Sequence, residues 1–194
     1  HRAFRNADGT TRVLYHWGMG AATDDLCAYG REFTQSDIND LLCAHSPGGD
    51  LTKPLDEDGF NRAIGALDYT RLNGQRALGM RHSHGAHMLS VAGGCDPFKH
   101  KTFAQKVGLI TVNMPSRWDF GEGGEFLDRH MINAVLRVHE VVEHVRTLPD
   151  KSVAKIPAVT SLAFGRQAGA KRQDTDLLSQ FLNELKSGQD AGTP

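Results

Sequence analysis

Three histidines fall within six residues, at His82-Ser83-His84-Gly85-Ala86-His87. Imidazole is the side chain that exchanges a proton near neutral pH and the commonest ligand for zinc, so such a cluster points to one of two chemistries. Read as H-x-H-x-x-H, it aims two or three imidazoles at one metal ion. Read for nucleophilic catalysis, the unit runs from His84 to Gly93 and offers an imidazole able to exchange a proton. A third reading is a surface turn whose histidines form only local hydrogen bonds. The cluster opens a short apolar segment, Met88 to Ala92, which closes at Gly93-Gly94.

Other motifs carry less. His139-Glu140-Val141-Val142-Glu143-His144 lacks the H-E-x-x-H spacing and places His139 and Glu143 at i, i+4 on one helical face, the spacing of solvated pairs. Gly121-Glu122-Gly123-Gly124 lacks the G-K-[ST] that grips phosphate and magnesium. Lys151, Lys155, Arg166, Lys171 and Arg172 make a mildly basic region without interleaved aromatics, which reads as solvated surface. Cys27, Cys43 and Cys95 are odd in number and form no C-x-x-C, so neither a disulfide framework nor a cysteine zinc site is expected, and all three read as buried thiols. With 22 Lys and Arg against 23 Asp and Glu, the net charge of −1 offers no general attraction to nucleic acid or anionic lipid. No apolar stretch reaches the roughly 18 residues of a membrane span. Neither nucleic acid nor membrane is therefore an expected partner, and no cofactor or metal is assigned.

The elements that must position the cluster can be read from pattern. At 194 residues one domain is expected. Asp8-Gly9 signals a turn, and Arg12 to Trp17 has strand composition. Thr34 is the expected N-cap of a helix over 35–44, with Ile38, Leu41 and Leu42 on one face. Residues 45–58 read as a loop and 57–66 as a short helix. Nothing in the first third is periodic enough to define a core, so residues 1–80 read as an elaborated connection. Val107 to Met114 is a near-continuous apolar run that suits a covered parallel strand. From Glu125 to Arg146, Leu127, Met131, Val135, Val138, Val142 and Val145 recur at helical steps. Residues 156–164 (IPAVTSLAF) read as a further strand, and 174–187 as a last helix. Strand, long helix and strand in succession form a βαβ unit, so the expected class is α/β with a parallel sheet flanked by helices.

Two families resemble the cluster. The metallo-β-lactamase-like hydrolases use H-x-H-x-D-H, but their aspartate falls on Ala86, and residues 1–80 lack the β-hairpin core that precedes their motif. The second resemblance is broader. His84-Gly85-Ala86-His87-Met88-Leu89-Ser90-Val91-Ala92-Gly93 resembles the H-G-T-H-V-x-x-x-A-G segment of bacterial subtilisin-like serine proteases. Ala104 to Pro115 is similar to the A-x-x-A-D-I-x-x-V-Q-x-P strand that follows there. Gly123-Gly124-Glu125 through Val145 resembles the next helix, and Pro157 to Gly165 the P-V-V-I-N-L-S-Y-G strand. Residues 1–80, including Tyr29 to Thr34, resemble the long insertion between aspartate and histidine in this branch. The resemblance runs to about residue 180.

The resemblance implies a serine endopeptidase acting on peptide or protein substrates, with His84 as general base at the start of a helix. It implies that Ala163, Phe164 and Gly165 line the substrate cleft, with Phe164 making that wall bulkier than a leucine. The family's D-x-G aspartate is expected just before His1-Arg2-Ala3-Phe4-Arg5, and its G-T-S-x-x-x-P serine beyond the last strand. Asp56, Asp68, Ser90, Ser161 and Ser179 lack the flanking residues of either motif. The chain is accordingly expected to be an internal, inactive piece of such a domain. It divides into an insertion over 1–80, an α/β core segment over 81–187 and a polar tail over 188–194, with exposed apolar edges. Two alternatives stand beside this reading. One is a non-catalytic relative that binds peptides, suggested by Ala86 for Thr, Ser161 for Asn and Ala163 for Ser. The other is a zinc hydrolase using His82, His84 and His87.

Overall fold

The computed structural model describes residues 1–21, 29–66, 84–96, 99, 103–114, 125–147, 157–162 and 177–191. The chain forms two compact units, His1–Arg117 and Trp118–Pro194.

The first unit is built on three strands, β1 (Val13–Gly18), β2 (Arg31–Thr34) and β3 (Leu109–Asn113), in the order β2-β1-β3. β1 and β3 run parallel, with His16 opposite Thr111 and Gly18 opposite Asn113, and the register shifts between Val13 and Tyr15. β2 is antiparallel to β1, with His16 opposite Phe33. The α/β class therefore holds, but the sheet is mixed. The strand read at 12–17, which starts one residue later at Val13, and the one read at 107–114 are its two parallel members.

Local chemistry fixes the entry to each strand. The Asp8 carboxylate accepts hydrogen bonds from the Thr10 main-chain N–H (2.9 Å) and hydroxyl (2.6 Å), which hold its pKa below the ordinary value and close the turn before β1. Gly30 enters β2 with φ +73°, where a Cβ would lie 2.5 Å from the Gly18 carbonyl oxygen. Only glycine fits that left-handed position against another backbone.

Helix α1 (Gln35–Ala44) starts as the sequence predicts. The Thr34 hydroxyl accepts from the Asp37 N–H at 3.3 Å, and the Asp37 carboxylate accepts from the Thr34 N–H at 2.8 Å. This capping box satisfies donors that a helix start otherwise leaves open. α1 buries Ile38 and Leu42 against Phe33, and Val13, Leu41, Leu51, Leu55, Phe60 and Ile64 pack around them. The first third of the chain is thus no mere connection. Its core draws single residues from separated elements, which no single periodic window displays. Helix α2 (Glu57–Ala63) follows, shorter than the sequence predicts and capped by Asp56, which accepts from the Gly59 N–H at 3.0 Å. Helix α3 (His84–Gly93) precedes β3.

In the second unit, helix α4 (Glu125–Thr147) covers the span read as helical, whereas α5 (Leu177–Ala191) begins three residues later than expected and runs on through Gly188 into the segment read as a polar tail. Met131, Ala134 and Val135 of α4 are buried. Their i, i+3, i+4 spacing is the apolar stripe the sequence predicts. Glu140 pairs with Arg137 at 2.8 Å, so this acid of the H-E-V-V-E-H segment serves an ordinary surface ion pair. The strand read over 156–164 does not form at residues 157–162, which are irregular and exposed, Val159 at 96%. A strand needs a neighbour for its backbone groups, and strand composition alone does not supply one. The βαβ unit expected around α4 is therefore absent from the described residues. Among those residues no helix is long and apolar enough to cross a membrane.

Candidate functional site

Helix α3 begins at His84, and His87 lies three residues on. Residues three apart in a helix share a face, so both imidazoles stand on one side of the first turn, about 4.5 Å apart along the axis. His84, Gly85, Ala86 and His87 are all exposed. Beside Gly85 nothing lies within 4 Å of where a Cβ would project, so the main chain there faces open space.

The far end of α3 holds it in place. The buried Arg12 guanidinium donates to the Gly93 carbonyl, setting a cation at the negative end of the helix. Gly93 is itself buried, and a Cβ there would come within 2.7 Å of Leu109 Cδ2. The Cys95 N–H donates to the Ala3 carbonyl at 2.9 Å. Arg12 immediately precedes β1 and Leu109 opens β3, so the helix is fastened at the N-terminal edge of the parallel pair. Ten residues of helix put His84 about 14 Å from that fastening.

Of the residues the sequence singles out, the structure brings His84 and His87 together. His82, Asp68, Ala163, Phe164 and Gly165 lie outside the described residues. Asp56 is occupied as the cap of α2. Ser90 donates its hydroxyl to the His87 carbonyl at 2.8 Å, a local helix bond that leaves it no nucleophile's geometry. Ser161 is exposed in irregular chain. Among the described residues no three His, Cys, Asp or Glu side chains are grouped to hold a metal, and His82, which the zinc reading joins to His84 and His87, lies outside those residues. Cys95 is buried as expected, whereas Cys43 is exposed on α1 and Cys27 lies outside the described residues.

Two groups of chemical interest were not evident from sequence. His16, in the middle of β1, has its Nδ1 2.8 Å from the Thr111 hydroxyl, and its ring stacks on Phe33 at 6.2 Å. Enclosure in the fold lowers its pKa to about 4, so the ring is neutral. One edge meets a cavity of about 10 Å³, lined also by Gly18, Ile64 and Asn113 at the C-terminal end of the parallel strands. That space suits a single water. The second group is Arg12, which the pattern offers only as the first residue of a strand.

No protein-family model, no curated protein and no solved structure matches the chain.

Proposed function

We propose that this chain carries the histidine segment of a subtilisin-like serine endopeptidase, with His84 as general base. The observation that carries the reading is a helix beginning at His84, its imidazole exposed in the first turn and its other end held to the parallel strands. In the order aspartate, histidine, serine, the base accepts the serine proton as the hydroxyl attacks a peptide carbonyl, then returns it to the leaving amine. An exposed imidazole on a rigidly anchored helix meets the positional demand of that role. The open main chain at Gly85 leaves room for a substrate to pass. The resemblance assigns the substrate wall to Ala163, Phe164 and Gly165, which lie outside the described residues.

Residues 1–194 contain neither the family's aspartate motif nor its serine motif, so the chain alone is expected to hydrolyse no peptide. Loss of the serine or histidine by itself costs roughly 10⁶ in turnover. Sequencing the DNA on both sides of this reading frame tests the proposal. A D-x-G segment upstream and G-T-S-x-x-x-P downstream are expected, and a continuous frame lacking both would refute it. Presence of the first without the second favours a non-catalytic peptide-binding relative, which Ala86, Ser161 and Ala163 already suggest. Zinc bound stoichiometrically and removed by EDTA together with hydrolysis would favour the metal reading instead.

A further inference from the structure

Arg12 ties together three separate stretches of chain, each through a different group. Its main-chain N–H donates to the Phe4 carbonyl at 2.8 Å, and its own carbonyl accepts from the Leu109 N–H at 3.0 Å. These two bonds set it between the N-terminal segment and the start of β3. Its guanidinium then reaches 81 residues along the chain to donate to the Gly93 carbonyl. Arg12 is 4% exposed, so little water competes for that carbonyl.

Helix α3 has little else to fix its direction. Among its residues only Gly93 is buried, and residues 84–88, 91 and 92 are exposed. Gly93 lies against Leu109, so the contact with β3 is also at the last turn. The helix is therefore a lever held at one end, with His84 about 14 Å from the hold. A swing of about 4° there moves the first turn by about 1 Å. Misplacing a reacting group by that distance costs roughly 10² in turnover.

We propose that Arg12 is the positioning residue for His84: its hydrogen bond to the Gly93 carbonyl sets the direction of α3 and thereby the place of the general base. The inference rests on the reading of His84 given above. Arg12 acts only through the helix. A guanidinium suits the task because its planar donors fix the direction of the bond, whereas an ammonium on a flexible stem fixes little beyond distance. Lysine is therefore expected to substitute in part, and an apolar side chain of similar length not at all.

Two measurements on Arg12→Met and Arg12→Lys test this. In the 194-residue chain, amides of α3 are expected to exchange hydrogen about tenfold faster in Arg12→Met than in wild type, with those of α1 unchanged and Arg12→Lys in between. In the intact gene product, kcat for a chromogenic peptide is expected to fall roughly 10²-fold in Arg12→Met at constant KM, and Arg12→Lys to recover most of it. Thr34→Ala weakens the same unit away from α3 and is expected to keep wild-type kcat. Unchanged exchange in α3, unchanged kcat in folded Arg12→Met, or a loss matched by Thr34→Ala and not relieved by lysine overturns the proposal. Should Arg12→Met fail to fold, Arg12→Gln takes its place with the same outcomes, since its shorter amide stops short of the Gly93 carbonyl. Full hydrolysis in His84→Ala refutes the general-base reading itself, and exchange in α3 then decides whether Arg12 directs the helix.

Discussion

Helices α1 and α3 each have ten residues and lie in the same compact unit, yet they are held by opposite ends. α1 is fixed at its start by the Thr34–Asp37 capping box and along its length by Ile38 and Leu42. α3 is fixed at its last turn by Arg12 and Gly93, and it leaves Val91 71% exposed. The difference separates two tasks. A helix that builds the core is specified by its own caps and apolar stripe. A helix that presents side chains to solvent has little of either and depends on an anchor in distant sequence.

The contrast can be broken by substitution. Phe33→Ala empties the centre of the α1 core and is expected to cost about 3–5 kcal/mol, read from urea unfolding. A cost below about 1 kcal/mol would mean that this cluster is not the unit's centre. Acid provides the next largest effect. His16 titrates near 4 when folded and near 6.5 when free. Between those values the unfolded chain binds a proton that the folded chain excludes, so stability falls as pH drops through the window. The total is about 3 kcal/mol, and it is fully lost below the lower value. His16→Gln is expected to flatten that part of the pH–stability curve, and an unchanged slope would remove His16 as its source. Thr34→Ala deletes the capping hydroxyl and is expected to cost about 1 kcal/mol. Smallest of all, Val91→Ala on the exposed face of α3 is expected to lie within about 0.5 kcal/mol of wild type. A loss there as large as that of Phe33→Ala would show α3 covered along its length and end the contrast.

Legibility in sequence follows the same division. Thr34 and Asp37 lie three residues apart with Ile38 and Leu42 behind them, so the start and buried face of α1 could be read directly. Apolar runs gave β1 and β3, and the Met131–Val135 stripe gave α4. β2 escaped notice because Arg31-Glu32-Phe33-Thr34 has little strand character, and it becomes a strand by pairing with β1 after the turn at Gly30. Residues 157–162 show the reverse, strand composition without a partner. The helix start at His84 was legible as a motif, but its anchor was not. Arg12 lies 81 residues from Gly93, and a charged residue before an apolar run looks the same whether it ends in solvent or under a helix. His16 was hidden similarly, since its neutral state depends on enclosure by strands and helices far apart in sequence.

The central claim is that His84 removes a proton during peptide hydrolysis. Its most direct test is turnover of a chromogenic peptide by the intact gene product, wild type against His84→Ala. The account expects hydrolysis that falls by roughly 10⁶ in the variant. Wild-type turnover in His84→Ala would contradict it.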